Sequence, residues 1–471
     1  PWPVAAVAMV LIELSDQPRK LFRLSAVRPS ALFRGAPADT SLSGDETVGH
    51  CLGDHRWMHA FASHTRAPET VETLFFLPSW PPQIGTLTIA ALTLLVALIA
   101  GEVVQRVLKL PRLIGWVLAG VVLGPSVTGL LDAGAIVDLR FVLHVAAGLV
   151  LFEFGQRIDL GWLYRNPWLA GASVLEASLA FIAVFTLLIL LGVPSVVAAF
   201  AAAIGMATSP ATVLTLTRDL RASGQVTQRI ELLTALDCAY AFITIGMLLA
   251  WFHAEYHGDW LLMAAHPIYL ILGSTLLALF FAGLARPLLT RLDAWGDIQR
   301  LCAFALVLIA VAAGEWLNLS SALVLLGFGA SLRALDDRRR FVSLDFGPLG
   351  QIFLVLLFAL SAAALDLSIA VAGAVTGLGL VAARYVGKYA GVLLTSRASG
   401  LSTRKGSLVA LGLMPMSAVA LVFVHETVAV FPALGQALLG VLVPALVVLE
   451  MAGPLLARFA IVRAGESTVP A

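Results

Sequence analysis

From Gly85 to Ala457 one apolar segment follows another, each near the length needed to cross about 30 Å of hydrocarbon or somewhat shorter, with short polar breaks between. Such a chain must satisfy its backbone polar groups inside each segment, so a bundle of membrane-crossing helices is the fold it can adopt. Thirteen segments are predicted, near 85–105, 113–131, 137–156, 167–191, 194–217, 230–252, 267–285, 301–317, 319–332, 348–365, 368–394, 406–425 and 433–457. Composition agrees: 59% of residues are hydrophobic and 13% charged, against roughly 45–50% and about 25% in soluble domains.

The loop charges test that division. Lys and Arg cluster after odd-numbered segments, as with Arg106, Lys109 and Arg112, or Arg218, Arg221 and Arg229, or Arg397, Arg404 and Lys405. After even-numbered segments they are almost absent, Arg140 being the exception. The positive-inside rule then places the N-terminus outside and the C-terminus, with a short tail over 461–471, in the cytoplasm, most simply of a bacterial inner membrane. The formal net charge of +1 gives no reason to expect nucleic acid as a partner. Three cysteines, Cys51, Cys238 and Cys302, are too scattered for a disulfide framework or a zinc site.

Residues 1–84 are more polar, contain no apolar run long enough to span, and read as a poorly structured extension or a start-site artefact. His50, Cys51, His55, His59 and His64 lie close together there but match no standard ligand spacing, so no metal site is expected.

Three short pieces recur at one separation of 207 residues. WVLAGVVLG maps onto LVLLGFGAS, setting Gly120 on Gly327; the Asp159-Leu160 pair maps onto Asp366-Leu367; and GMATSPATVLTLTRD, from Gly205, maps onto GLMPMSAVALVFVHE, from Gly412. Segments one to six thereby correspond to eight to thirteen. The unpaired seventh makes the two halves inverted in the membrane, an arrangement whose binding sites lie near the midplane on interrupted helices. Segment five carries the break Met206-Ala207-Thr208-Ser209-Pro210, and its mate, segment twelve, carries Met414-Pro415-Met416-Ser417. Proline frees backbone groups in a helix, and neighbouring hydroxyls can satisfy them.

An ionisable side chain at the bilayer centre is costly and faces a cavity or a partner. Glu153, Glu176, Asp237, Arg384, Lys388 and Glu450 are the candidates. Asp237 lies eight residues beyond Arg229, roughly 12 Å into its segment, and Lys388 lies nine before Arg397, about 13 Å in. Pro210 and Pro415 fall at a similar depth. The expectation is a cation- and proton-binding carboxylate, Asp237, at two helix breaks, with Thr208, Ser209 and Thr212 adding neutral oxygens. Lys388 is its balancing cation, a part Arg384 could also take. A static Asp237–Lys388 pair joining helices is the bland alternative. Glu153 and Glu176 read either as proton-relay groups or as partnered structural acids. A proton and Na⁺ or K⁺ competing for one carboxylate that faces each side in turn would be exchanged.

The stretches PRLIGWVLAGVVLGPS, MATSPATV, GQVTQRIELLTALDCAYA and RYVGKYAG, taken in order, resemble the monovalent cation:proton antiporter-2 family of the sodium/hydrogen exchanger superfamily. The resemblance spans roughly 85–460. It implies a thirteen-helix, all-α homodimer with two inverted repeats and two interrupted helices, in which a core bundle moves against a dimerisation domain. It also implies transport of monovalent cations and protons with no cofactor and no enzymatic activity. The family's ion-binding pair falls on Asp237-Cys238 and its core lysine on Lys388. A thiol stands where the family's second acid is expected, and Ser417-Ala418 replaces its Gly-Glu. Cys238 keeps a second expectation open, a membrane sensor or scaffold that retains the antiporter fold without transport. An intramembrane aspartyl protease is not expected, since away from their ends the segments supply only one aspartate, Asp237.

Overall fold

The computed structural model describes residues 85–257, 260–292, 296–336, 346–416 and 432–468, together with Ala420, Phe423, Val424, Thr427 and Val428. The expectations for residues 1–84 and for Ser417 and Ala418 lie outside the described residues.

Among the described residues every regular element is helical. In chain order these are α1 (Thr86–Leu108), α2 (Arg112–Leu123), α3 (Ala133–Asp138), α4 (Arg140–Gly155), α5 (Leu160–Arg165), α6 (Pro167–Leu190), α7 (Ser195–Met206), α8 (Pro210–Asp219) and α9 (Gln225–His257). They continue with α10 (Trp260–Arg291), α11 (Gly296–Trp316), α12 (Ser321–Ala334), α13 (Gly347–Ala363), α14 (Leu367–Ala372), α15 (Ala374–Ser396), α16 (Thr403–Gly412) and α17 (Gly435–Arg463). Counting α7 and α8 as one, seven are long and apolar enough to cross a bilayer, and α2, α12 and α13 are shorter apolar helices. α15 is 23 residues long and carries Arg384 and Lys388. The outer helices show lipid-compatible faces, with Leu95, Ile99 and Val103 exposed on α1 and Leu272, Leu276 and Phe280 on α10.

One predicted segment ends early. The apolar run 113–131 is helical only to Leu123, because Gly124 turns to extended backbone (φ −70°, ψ 173°) before Pro125. A residue before proline is driven out of the helical region.

The repeat is visible in the elements. α5 and α14 are both six residues long and begin 207 positions apart, and each is opened by an aspartate: Asp159 accepts from the Trp162 amide, Asp366 from that of Ser368. Contacts repeat as well. No Cβ fits at Gly120, where α2 meets the Ala359 carbonyl of α13, or at Gly329, where the mate α12 meets the Phe152 carbonyl of α4. The mates α6 and α15 pack on each other antiparallel: Gly391 lies on Glu176, Gly387 on Ala180 and Gly379 on Leu187. An inverted repeat requires that direction.

The end of the chain returns to the start of α9. The Glu466 carboxylate accepts from the amides of Val226 (2.8 Å) and Thr227 (2.7 Å) and from the Thr227 hydroxyl (2.8 Å). An acid there satisfies orphan amides and complements the positive end of the helix dipole.

Candidate functional site

Both expected breaks are present. α7 ends at Met206, Ala207 (φ −65°, ψ 138°) and Ser209 (φ −75°, ψ 108°) are extended, and α8 restarts at Pro210. Pro210 does not kink a continuous helix. It occupies the first helical position, where no amide is needed, and Ser209 caps the turn by accepting from the Thr212 amide at 3.3 Å. In the second half α16 ends at Gly412 and Leu413 to Met416 are not helical. The breaks cross and are joined directly: the Ser209 amide donates to the Pro415 carbonyl at 2.9 Å.

Arg384, fully buried on α15, fills the crossing. Its guanidinium donates to the Ala207 carbonyl at 2.7 Å and to the Leu413 carbonyl at 3.1 Å. These carbonyls stand at the C-terminal ends of α7 and α16, each carrying roughly half a negative charge from its helix dipole. One guanidinium therefore balances both ends. Arg384, expected as an alternative balancing cation, places its hydrogen bonds on backbone carbonyls and, at 3.5 Å, on Thr208, and acts on Asp237 through space.

Asp237 is fully buried on α9. Its Oδ2 accepts from Thr208 Oγ1 and from Lys388 Nζ, both at 2.7 Å, while Oδ1 has no partner. Lys388 also pairs with Glu176 of α6, and Glu176 Oε2 is likewise buried without a partner. Cys238, fully buried beside Asp237, donates its thiol to the Thr208 carbonyl at 3.2 Å. Aspartate, lysine, glutamate and the first break thus meet, and the arrangement can hold one proton or one small cation against a carboxylate oxygen.

The transmembrane profile of the sodium/hydrogen exchanger matches residues 91–458. The chain belongs to the sodium/hydrogen exchanger family. This is a family of transporters rather than enzymes. No curated protein matches the chain. Among solved structures, the sodium proton antiporter MjNhaP1 from Methanocaldococcus jannaschii at pH 8 is similar at TM-score 0.64 and 17% identity, covering 81% of this chain and 99% of that one. An electron-microscopy structure of the same antiporter gives TM-score 0.62 at 16% identity, covering 82% and 99%. At these identities the likeness is one of fold.

The exchanger fold brings some expected residues together and leaves others apart. Thr208 touches Asp237. Ser209 and Thr212 bond each other at 3.0 Å, in the cap of α8. Glu153 is not in the cluster: it pairs with Arg218 near the end of α8, so the relay expectation does not gather it with Asp237. Glu450 is buried beside Ser361. Sequence reasoning missed that Glu176 shares the Lys388 ammonium. The signal was present in GKYAG, where Gly387 and Gly391 are four residues apart on one helix face and let α6 approach closely. A cavity of about 560 Å³ lies further along α9, lined by Phe242, His144, His266 and Glu315 among others, with His144 and Glu315 3.4 Å apart.

Proposed function

We propose that the chain exchanges a monovalent cation, Na⁺ or K⁺, for protons across a membrane by alternating access, with Asp237 as the carboxylate that carries one or the other. One observation carries the reading: a fully buried carboxylate sits against the first of two crossed helix breaks, with one oxygen anchored by Lys388 and Thr208 and the other without a hydrogen-bond partner.

A carboxylate removed from water needs a compensating charge. Lys388 supplies it when neither a proton nor a cation is bound. When Na⁺ or K⁺ reaches Asp237 the acid releases its proton, and when the proton returns the cation leaves, so carboxylic acid plus cation gives carboxylate–cation plus proton. Alternate exposure of this one competition to the two sides produces exchange. The loop charges support an N-terminus outside and a C-terminus in the cytoplasm, most simply of a bacterial inner membrane, and the family resemblance supports a homodimer. Thr208 supports the carboxylate through its hydroxyl. Ser209 and Thr212 hold the break, and a cation contact from them would require the cap of α8 to open.

Cys238 favours a second reading, a transport-deficient membrane sensor or scaffold, since its thiol is a poor ligand for a hard cation. Proteoliposomes with an entrapped pH-sensitive dye decide between the two. Addition of Na⁺, K⁺ or Li⁺ outside should move protons in the wild type and not in Asp237→Asn. Silence of folded wild-type protein toward all three cations would sink the antiporter reading.

A further inference from the structure

Lys388 is matched by more negative charge than it needs. Asp237 lies 2.7 Å from its ammonium and Glu176 pairs with the same nitrogen, and all three side chains are fully buried. A lysine that only joined helices would be satisfied by one acid. The second adds like-charge repulsion in a place where uncompensated charge is costly. Arg384 is near enough to act on both acids through space, but its hydrogen bonds go to the ends of α7 and α16 and none goes to either carboxylate. Two carboxylates thus share one bonded ammonium, and a proton or one monovalent cation can be held between them.

The free oxygens agree with that count. Each carboxylate uses one oxygen on Lys388, and each has its other oxygen, Glu176 Oε2 and Asp237 Oδ1, buried and without a partner. Among the described residues no other acid bonds Lys388. Cys238 spends its thiol on the Thr208 carbonyl, and Tyr240, one turn along α9, bonds Ser173 at 2.9 Å. The approach that seats Glu176 is built into the backbone. A Cβ on Gly391 would stand 2.9 Å from the Glu176 backbone nitrogen, and one on Gly387 would stand 2.6 Å from Ala180 Cα.

We infer that Glu176 is the second cation-binding carboxylate, so that a bound Na⁺ or K⁺ is held by Glu176 and Asp237 together, from α6 and α9, beside Lys388. This rests on the antiport reading for its ligand and names a residue that reading does not need. On cation binding the proton shared by the two acids is released; when the cation leaves, one acid takes a proton back. The groups facing the pair are Lys388 and Arg384 from α15, Cys238 and Tyr240 from α9, and Thr208 from the break.

The test uses the full chain as wild type, Glu176→Gln, Glu176→Asp and Asp237→Asn. Two readouts are taken: cation-driven proton flux in proteoliposomes against Na⁺ and K⁺ concentration across pH, and the thermal midpoint in detergent with NaCl or KCl against choline chloride. Glu176→Gln should raise the apparent KM for the cation about tenfold or more and abolish the salt-specific rise in midpoint, while remaining folded. Glu176→Asp should recover part of both. A Glu176→Gln protein with unchanged KM and pH profile and a lower midpoint in every salt would overturn the proposal, leaving antiport through Asp237 intact. Should Glu176→Gln not fold, Glu176→Asp decides: a raised KM supports the two-carboxylate site and an unchanged one refutes it. Wild-type protein with a salt-specific rise that Glu176→Gln removes, and no flux, would keep this site and reject transport. With neither flux nor a rise in the wild type, both fall.

Discussion

The amide of Ser209 donates to the carbonyl of Pro415 at 2.9 Å, so the two broken helices, one from each half of the chain, are stitched backbone to backbone at their crossing. Arg384 closes the same crossing from the side. Neither interaction involves the carboxylate chemistry, and both hold the place where it happens.

Arg384→Ala should therefore destabilise before it affects selectivity. It leaves the carbonyls of Ala207 and Leu413 without their charged donor inside the bundle, at about 1–3 kcal/mol for each unsatisfied group. The expected outcome is a large fall in thermal midpoint in detergent that added Na⁺ or K⁺ does not recover. Arg384→Lys, with one short ammonium for two carbonyls, should restore only part of it. An alanine variant as stable as wild type would contradict the stapling role.

Cys238 separates a hydrogen-bond role from an ion-ligand role. Cys238→Ser keeps a donor for the Thr208 carbonyl and should leave stability and transport within about twofold of wild type. Cys238→Val removes the donor and should cost about 1–3 kcal/mol. Equal behaviour of the two variants in thermal unfolding and flux would mean that the thiol's bond to Thr208 has no energetic weight.

Much of this site was legible because helical rise is fixed. Asp237, Lys388 and the two prolines could be set at one depth by counting residues from the nearest loop cation, and Asp237 and Lys388 are in contact. What counting could not show is which helix touches which. Glu176 reaches Lys388 only because Gly387 and Gly391 bring two backbones together, a fact of packing rather than of depth. Arg384 read as a spare cation for a different reason: its partners are main-chain carbonyls, which every residue has and no sequence pattern marks. Segment two was overlong because hydrophobicity continues past Gly124 while the backbone does not.

Gly391→Ala should push α6 and α15 apart, since the new methyl would stand within 3 Å of the Glu176 backbone. Overpacking of this kind costs about 1–3 kcal/mol. Cation affinity should fall as well, because Glu176 and Lys388 separate. Flux titrations against Na⁺ and K⁺, compared with Gly440→Ala where space is open, would reveal whether the spacing matters.

Asp366, exposed at the start of α14, is held below the ordinary carboxylate range chiefly by the Ser368 hydroxyl (2.6 Å) and next by the Ser368 amide (2.8 Å). A lowered folded value means that its contribution is fully present above the unfolded value and is lost as pH falls through the folded one. Asp366→Ala should cost about 1 kcal/mol at neutral pH. The difference from wild type should stay constant down to about pH 5 and shrink below roughly pH 4. Thermal unfolding across that range checks it, and a gap that widened in acid would reverse the sign.

Glu466 carries a lesson for anyone who handles this chain at the bench. A version cut after Arg463 would retain every helix through α17, yet two amides and a hydroxyl at the first turn of the Asp237 helix would lose their acceptor. A purification handle joined beyond Thr468 leaves that acceptor in place. Trimming what looks like a dispensable end would loosen the root of the helix on which the ion-carrying acid stands.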